Sequence, residues 1–139
     1  MHSNSAIALT GFIAWTLALL LMMELARIRI VMATKFDPSQ FKPDNSNLSP
    51  FMQRIARAHA NCVESFPVFG GLLLVALVTG QTLVTDSLAF VLLGARCVQS
   101  SVHLASTSTM AVNVRFFAFA VQVLIACYWV FRLLSNVIG

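Results

Sequence analysis

Four long apolar runs, separated by short polar breaks, dominate the chain, and each approaches the length that crosses a membrane. A span needs about 20 mostly apolar residues. The first run covers about residues 6–31 and is uncharged from Ala6 to Met23, with Thr16 its one polar side chain. The second opens on Ser49-Pro50, a Ser N-cap followed by Pro at the first helical position. It continues to about Thr79, where Gly80 supplies a C-terminal stop. At 1.5 Å per residue this helix is about 45 Å long, so its first two turns project beyond a hydrocarbon core of about 30 Å. The third run spans about residues 86–105 with Asp86 as its N-cap, and the fourth about 113–135 with Asn113 in that role. Among the breaks, 33–48 carries Asp37-Pro38, Lys42-Pro43 and Asn45-Ser46-Asn47 and predicts an ordered or semi-ordered loop. The stretches 81–85 and 106–110 predict tight turns. The pattern predicts an all-α, integral membrane four-helix bundle forming a single domain over residues 1–139.

Composition strengthens this reading. Of 139 residues, 58% are hydrophobic and 10% charged, with a mean hydropathy of +0.83. A soluble domain carries about 25% charged residues, so this chain lacks the polar groups to cover a water-facing surface. Residues 1–5 hold no Lys or Arg, and the first apolar run passes into Met22-Met23-Glu24 without a small-residue cleavage site. It reads as a retained helix rather than a cleaved leader. Cys62, Cys97 and Cys127 each fall inside an apolar run without paired spacing, which predicts packing residues and no metal site. Phosphate loops, hydrolase triads and nucleic-acid motifs are missing.

Charge sets the orientation. Arg27, Arg29, Lys35, Lys42, Arg54, Arg57 and Arg115 gather on the side of the first loop, whereas Arg132 stands on the other. The positive-inside rule puts the first loop in the cytoplasm and both termini opposite.

The exceptions to hydrophobicity point to function, because charge at membrane depth is costly. Arg54, Arg57, Asn61 and Glu64 are spaced 3, 4 and 3 apart, which places them on one face of the second helix. Arg96, Gln99 and His103 form a similar stripe on the third. The first helix ends with Glu24, Arg27 and Arg29, and the fourth opens near Arg115. Measured from the outer boundary, Glu64 lies about 24 Å deep and Gln99 about 20 Å. The two stripes therefore meet at similar height, in one polar pocket opening to the cytoplasm. A self-satisfied network, with Glu64 paired to Arg96 or Arg57, is the bland alternative. Arginines nevertheless outnumber the single deep carboxylate, and an excess of guanidinium calls for an outside anion. A lipid headgroup such as phosphatidylserine matches part of the set. Glutathione, with two carboxylates, an ammonium and two amides, matches all of it.

The run Arg54-Ile-Ala-Arg57-Ala-His59-Ala-Asn61-Cys-Val-Glu64-Ser-Phe-Pro67 resembles the second-helix signature of the MAPEG family, the membrane-associated proteins of eicosanoid and glutathione metabolism. Its core of Arg, Asn and Glu is matched by Arg57, Asn61 and Glu64, and the four spans and the Arg27-Ile-Arg29 helix end extend the resemblance along the chain. The resemblance implies a homotrimer binding glutathione between subunits near the cytoplasmic face. Glu64 would meet the ammonium and Arg57 a carboxylate, with Asn61 beside them. Arg27 would come from a neighbouring subunit. Gln99 and His103 occupy third-helix ligand positions, and Arg115 stands for the fourth-helix arginine that stabilises the thiolate. The chain departs from the family pattern where a Tyr is expected on the third helix. His103 stands there, and the one Tyr is Tyr128.

The resulting expectation is a broad-specificity glutathione transferase or peroxidase acting on hydrophobic small molecules. The alternative is a non-catalytic glutathione- or lipid-binding membrane protein that modulates partners. A transporter is disfavoured, since no span is broken by an unwound motif. Among the remaining residues, Pro67 predicts a kink beside Glu64. Gly70, Gly71 and Gly94 predict close helix approach. Tyr128 and Trp129 predict an outer aromatic belt, and His2 reads as terminal and inert.

Overall fold

A computed structural model describes residues 3–139, so His2 lies outside the described residues. Its helices are α1 (Asn4–Thr34), α2 (Pro50–Val78), a single turn α3 (Thr82–Thr85), α4 (Ala89–Ala105) and α5 (Thr109–Ile138). The four long ones form an all-helical bundle in which α1 packs chiefly on α2 and α4 chiefly on α5. α1, α2 and α5 are each long and apolar enough to cross a membrane, and α4 is a shorter apolar helix. The chain is a multi-pass membrane protein.

Capping decides where the helices begin. Ser49 caps α2 as its sequence predicts, its hydroxyl accepting from the Met52 N–H at 3.4 Å. The next two expectations need correction. α5 starts at Thr109 and is capped by Ser108, whose hydroxyl accepts from the Ala111 N–H, so Asn113 lies inside the helix. Asp86 does not cap the third span, which starts at Ala89. Its carboxylate accepts instead from the Ser5 backbone N–H at 2.8 Å, the Ser5 hydroxyl at 2.6 Å and the Ser3 hydroxyl at 2.8 Å. Asp86 thus caps α1 from across the bundle, placing a negative charge at the positive end of that helix. The stretch expected as a plain turn forms α3, which brings Asp86 there, while Gly80 ends the preceding segment at φ 70°.

The first loop is ordered around one buried amide. Asn45 sits at φ 54°, a conformation Asn tolerates better than most residues. Its Oδ1 accepts from Arg27 Nε at 3.1 Å and Nη2 at 2.6 Å, and its Nδ2 donates to the Met52 carbonyl at 2.8 Å. Arg27 also donates to the Lys42 carbonyl and lies over the Phe41 ring. Asn45 therefore ties the end of α1, the loop and the start of α2 together.

The main core includes Phe12, Leu19, Cys62, Leu73, Leu92 and Trp129, and a second cluster of Met23, Ile55 and Ala56 packs toward the loop end. Trp129 is 0% exposed, so it packs in the core rather than joining an aromatic belt, while Tyr128 is exposed. Close helix approach occurs at Gly11, where a Cβ would meet Leu93 Cδ2 at 2.7 Å. Gly71 and Gly94 face open space, and Gly70 accommodates the Phe66 ring of its own helix.

Two predictions follow from the caps and the loop. Replacing Asn45 with Ala strands Arg27 and the Met52 carbonyl, and should cost about 2–4 kcal/mol in detergent unfolding. Asn47→Ala, at an exposed loop position, should cost under about 1 kcal/mol. For Asp86, burial acts to raise the carboxyl, but the hydrogen bonds from Ser5 and Ser3 outweigh it and hold the group below its ordinary 3.8. Its stabilising contribution is then complete above that value and is lost as pH falls through the lowered one. Asp86→Ala should lower the melting temperature at pH 7, and the gap to wild type should narrow as pH falls below 3.8.

Candidate functional site

The polar stripe of α2 faces α4 and α5 along one cleft, as its spacing predicts. Two cavities open along this cleft. The first, of about 520 Å³, is bordered by Asn61 and Glu64 of α2, Arg96 and Gln99 of α4, and Phe119 and Val123 of α5. The second, of about 320 Å³, gathers Arg54 and Arg57 of α2, His103 of α4 and Arg115 of α5. From Arg57 to Glu64 the rise along α2 is about 10 Å, so the cavities are stacked about two turns apart. The single pocket expected from the sequence is thus divided into a basic chamber at the loop side and a mixed chamber deeper in.

The basic chamber holds three guanidinium groups and an imidazole, with no carboxylate on its walls. Arg54 is fixed there by an Nε hydrogen bond to the Leu104 carbonyl at 3.0 Å and by the Phe51 ring, 5.7 Å from its Cζ. His103 is 7% exposed. Arg57 and Arg115 form neither a hydrogen bond nor an ion pair among the described residues. Three cations converging without a counter-ion repel one another, and an anion placed among them relieves that repulsion.

In the deeper chamber the charges are mixed and also unpartnered. Glu64 is exposed on the flank of α2 and pairs with no cation, since Glu24–Arg27 at 2.9 Å is the one ion pair among the described residues. Arg96 is 1% exposed and lies between Phe12 and Phe69, with its Cζ 5.5 and 5.3 Å from the ring centroids. Its Nη1 reaches the Asn61 carbonyl at a long 3.5 Å, while Nε and Nη2 have no partner. A cation at membrane depth costs about 3 kcal/mol by insertion measurements, and each ring returns about 1 kcal/mol. Two rings therefore offset the charge in part and leave its N–H donors unsatisfied. Both signs of charge are held ready in one chamber without meeting each other.

Neighbouring polar groups shape the rest of the wall. Gln122 of α5 is fully buried and donates to Gln99 Oε1 at 3.0 Å and to the Ala118 carbonyl at 2.8 Å. Behind the wall the Cys62 thiol lies 3.4 Å from the Ser100 hydroxyl. Val68, Phe69, Phe119 and Val123 give the chamber an apolar flank beside its charges.

Comparison with family models matches residues 5–135 to one described as the MAPEG family, covering nearly the whole chain and every residue of both chambers. The chain belongs to the MAPEG family. Comparison with curated proteins finds no match. As a MAPEG protein it is a membrane protein of glutathione and eicosanoid metabolism. Within this MAPEG chain, eight of the nine residues singled out from the sequence converge on the cleft: Arg54, Arg57, Asn61, Glu64, Arg96, Gln99, His103 and Arg115. Arg27 is elsewhere. It is held by Glu24, Asn45 and the Lys42 carbonyl on the far side of the loop, leaving one guanidinium N–H free. Gln122 escaped the sequence reading, although an amide within the apolar run of the fourth helix was a visible signal. His59 faces away from the cleft, in an apolar groove with Leu17, Phe66 and Pro67.

Because Glu64 lacks a cation, removing its charge should not weaken the ligand-free fold. Glu64→Gln should leave detergent unfolding unchanged or raise stability by up to about 2 kcal/mol. A clear drop would mean that the carboxylate already has a partner.

Proposed function

We propose that this chain conjugates the thiolate of glutathione to apolar electrophiles that reach the cleft from the bilayer. The observation that carries the reading is the set of unpartnered charges in one cleft, a single carboxylate among an excess of arginines. Glutathione supplies the complementary set. Its ammonium suits Glu64, its carboxylates suit the arginines, and its peptide groups suit the amides of Asn61 and Gln99. Arg96, buried between the Phe12 and Phe69 rings, borders the deeper chamber and adds to the positive field that favours an anion there.

Each residue then has a task. Arg54 and Arg57 hold a carboxylate at the loop end, and Glu64 holds the ammonium. Arg115, free of any counter-ion, stands beside the sulfur and lowers the thiol from its ordinary pKa of about 8.5. His103 offers a hydrogen bond in the same chamber, where other members place a Tyr. The thiolate sulfur forms a bond to the electrophilic carbon as the leaving group departs with its electron pair. Val68, Phe119 and Val123 give the deeper chamber an apolar wall that suits an apolar substrate. Toward a hydroperoxide the same thiolate attacks the terminal oxygen and the O–O bond breaks to release the alcohol, leaving a glutathione sulfenate that a second glutathione converts to the disulfide and water.

The cleft is open on the flank that carries Glu64 and Phe119, both exposed in the single chain. A homotrimer closes it with a neighbouring first helix, whose Arg27 has one N–H to offer. The concentration of basic residues around the first loop supports a cytoplasmic position for that loop and for the mouth of the basic chamber.

Millimolar glutathione should raise the melting temperature of the detergent-purified protein, and Arg57→Ala or Glu64→Ala should abolish the shift. Absence of any shift with wild type overturns the proposal. Arg115→Ala should retain affinity within several-fold while turnover of an aryl halide falls about 100-fold, with loss of the thiolate absorbance band. Binding by wild type without turnover would instead make the chain a glutathione- or lipid-binding protein that modulates partners.

A further inference from the structure

Gln122 has no place in the chemistry above, yet it is the one fully buried amide side chain of α5. Its Nε2 donates twice, to the Ala118 carbonyl at 2.8 Å and to Gln99 Oε1 at 3.0 Å. This arrangement removes the usual ambiguity of amide orientation. A backbone carbonyl can only accept, so the Gln122 atom facing Ala118 must be nitrogen. The same nitrogen faces Gln99, so the Gln99 atom that meets it must be oxygen. The Gln99 NH2 group is then the end left free at the wall of the deeper chamber, where Gln99 stands with Glu64, Asn61 and Arg96.

We infer that Gln122 is a positioning residue that fixes the Gln99 amide with its N–H donors toward the bound glutathione. At this point the cleft takes an acceptor of the ligand, a carbonyl or carboxylate oxygen, and disfavours a donor. The inference rests on the glutathione reading of the cleft. A purely packing role does not account for the residue. The Gln122 Oε1 is buried without a partner, a cost that an apolar side chain of similar volume would avoid.

The chemistry of the pair supplies a sharp test. Gln122→Glu keeps shape and volume but reverses the partner of Gln99. An ionised carboxyl has only oxygens to offer, so Gln99 rotates to donate its NH2 group and its carbonyl then faces the ligand. A neutral carboxyl reverses Gln99 only when its one proton goes to the Ala118 carbonyl, so affinity is read at the highest pH at which the protein stays folded. Gln122→Met removes the constraint without reversing it. Gln99→Leu removes the donor altogether.

Glutathione affinity is measured by titration of the purified full-length protein in detergent or nanodiscs, with ligand-free melting as the control for folding. Gln99→Leu and Gln122→Glu should each weaken binding about tenfold or more, and Gln122→Met about threefold. In the Gln99→Leu background, Gln122→Met and Gln122→Glu should change affinity less than twofold, because the residue acts through Gln99. Gln122→Met tests the coupling if the carboxyl variant does not fold. Full effects of the Gln122 substitutions in the Gln99→Leu background, or wild-type affinity in both Gln122 variants, overturn the inference and leave the glutathione reading intact. A wild-type protein that does not bind glutathione overturns both.

Discussion

Charge at membrane depth is costly, and in this bundle the deep charges form no ion pair among the described residues of the single chain. Glu64 and Arg96 border the same chamber, yet neither pairs with the other. Arg57 and Arg115 converge about two turns away with no acid between them. A cation costs up to about 3 kcal/mol at the bilayer centre, and for the deeper Arg96 the two aromatic rings return only part of such a cost. Self-neutralisation would be the stable solution, and the chain does not adopt it. On the proposed reading, a ligand with two anionic groups and one cationic group completes the cleft.

The rest of the fold serves to hold those charges apart. Arg54 is kept in place by the Leu104 carbonyl, which also ties the start of α2 to the end of α4. Arg27 is held by Asn45 and Glu24 and so does not pair with Glu64. At the other end, Asp86 is occupied in capping α1 and is unavailable as a counter-ion. Of the acids outside the first loop, Glu24 and Asp86 are thus engaged, and Glu64 stands alone. If these residues bind glutathione as proposed, they are held in place before the ligand arrives and little reorganisation is needed on binding.

What could be read from the sequence follows from the range of the forces involved. Membrane insertion demands long apolar runs, so the helices were legible, and the period of 3.6 residues placed Arg54, Arg57, Asn61 and Glu64 on one face. The estimate that Glu64 and Gln99 meet at one height holds, since both line the deeper chamber. Ser49-Pro50 and Gly80 mark ends because their effect is local. Asp86 misled because a carboxylate before an apolar run looks like the cap of that run, whereas its partner helix begins about 80 residues earlier in sequence. Asn113 misled for a simpler reason, as Ser108 offers a hydroxyl one turn sooner and the helix starts there. The division of the cleft into two chambers and the hold of Gln122 on Gln99 depend on contacts between helices, which no single-helix pattern carries.

The central claim is that the unpartnered charges of the cleft are completed by glutathione rather than by the protein. An experimental structure of the assembled protein in lipid, determined with and without glutathione, tests this most directly. The account predicts density for the ligand in the cleft between α2, α4 and α5, with Glu64 against its ammonium and the arginines against its carboxylates. An empty cleft in which Glu64 is paired with an arginine of the same or a neighbouring chain, unchanged by glutathione, would contradict it.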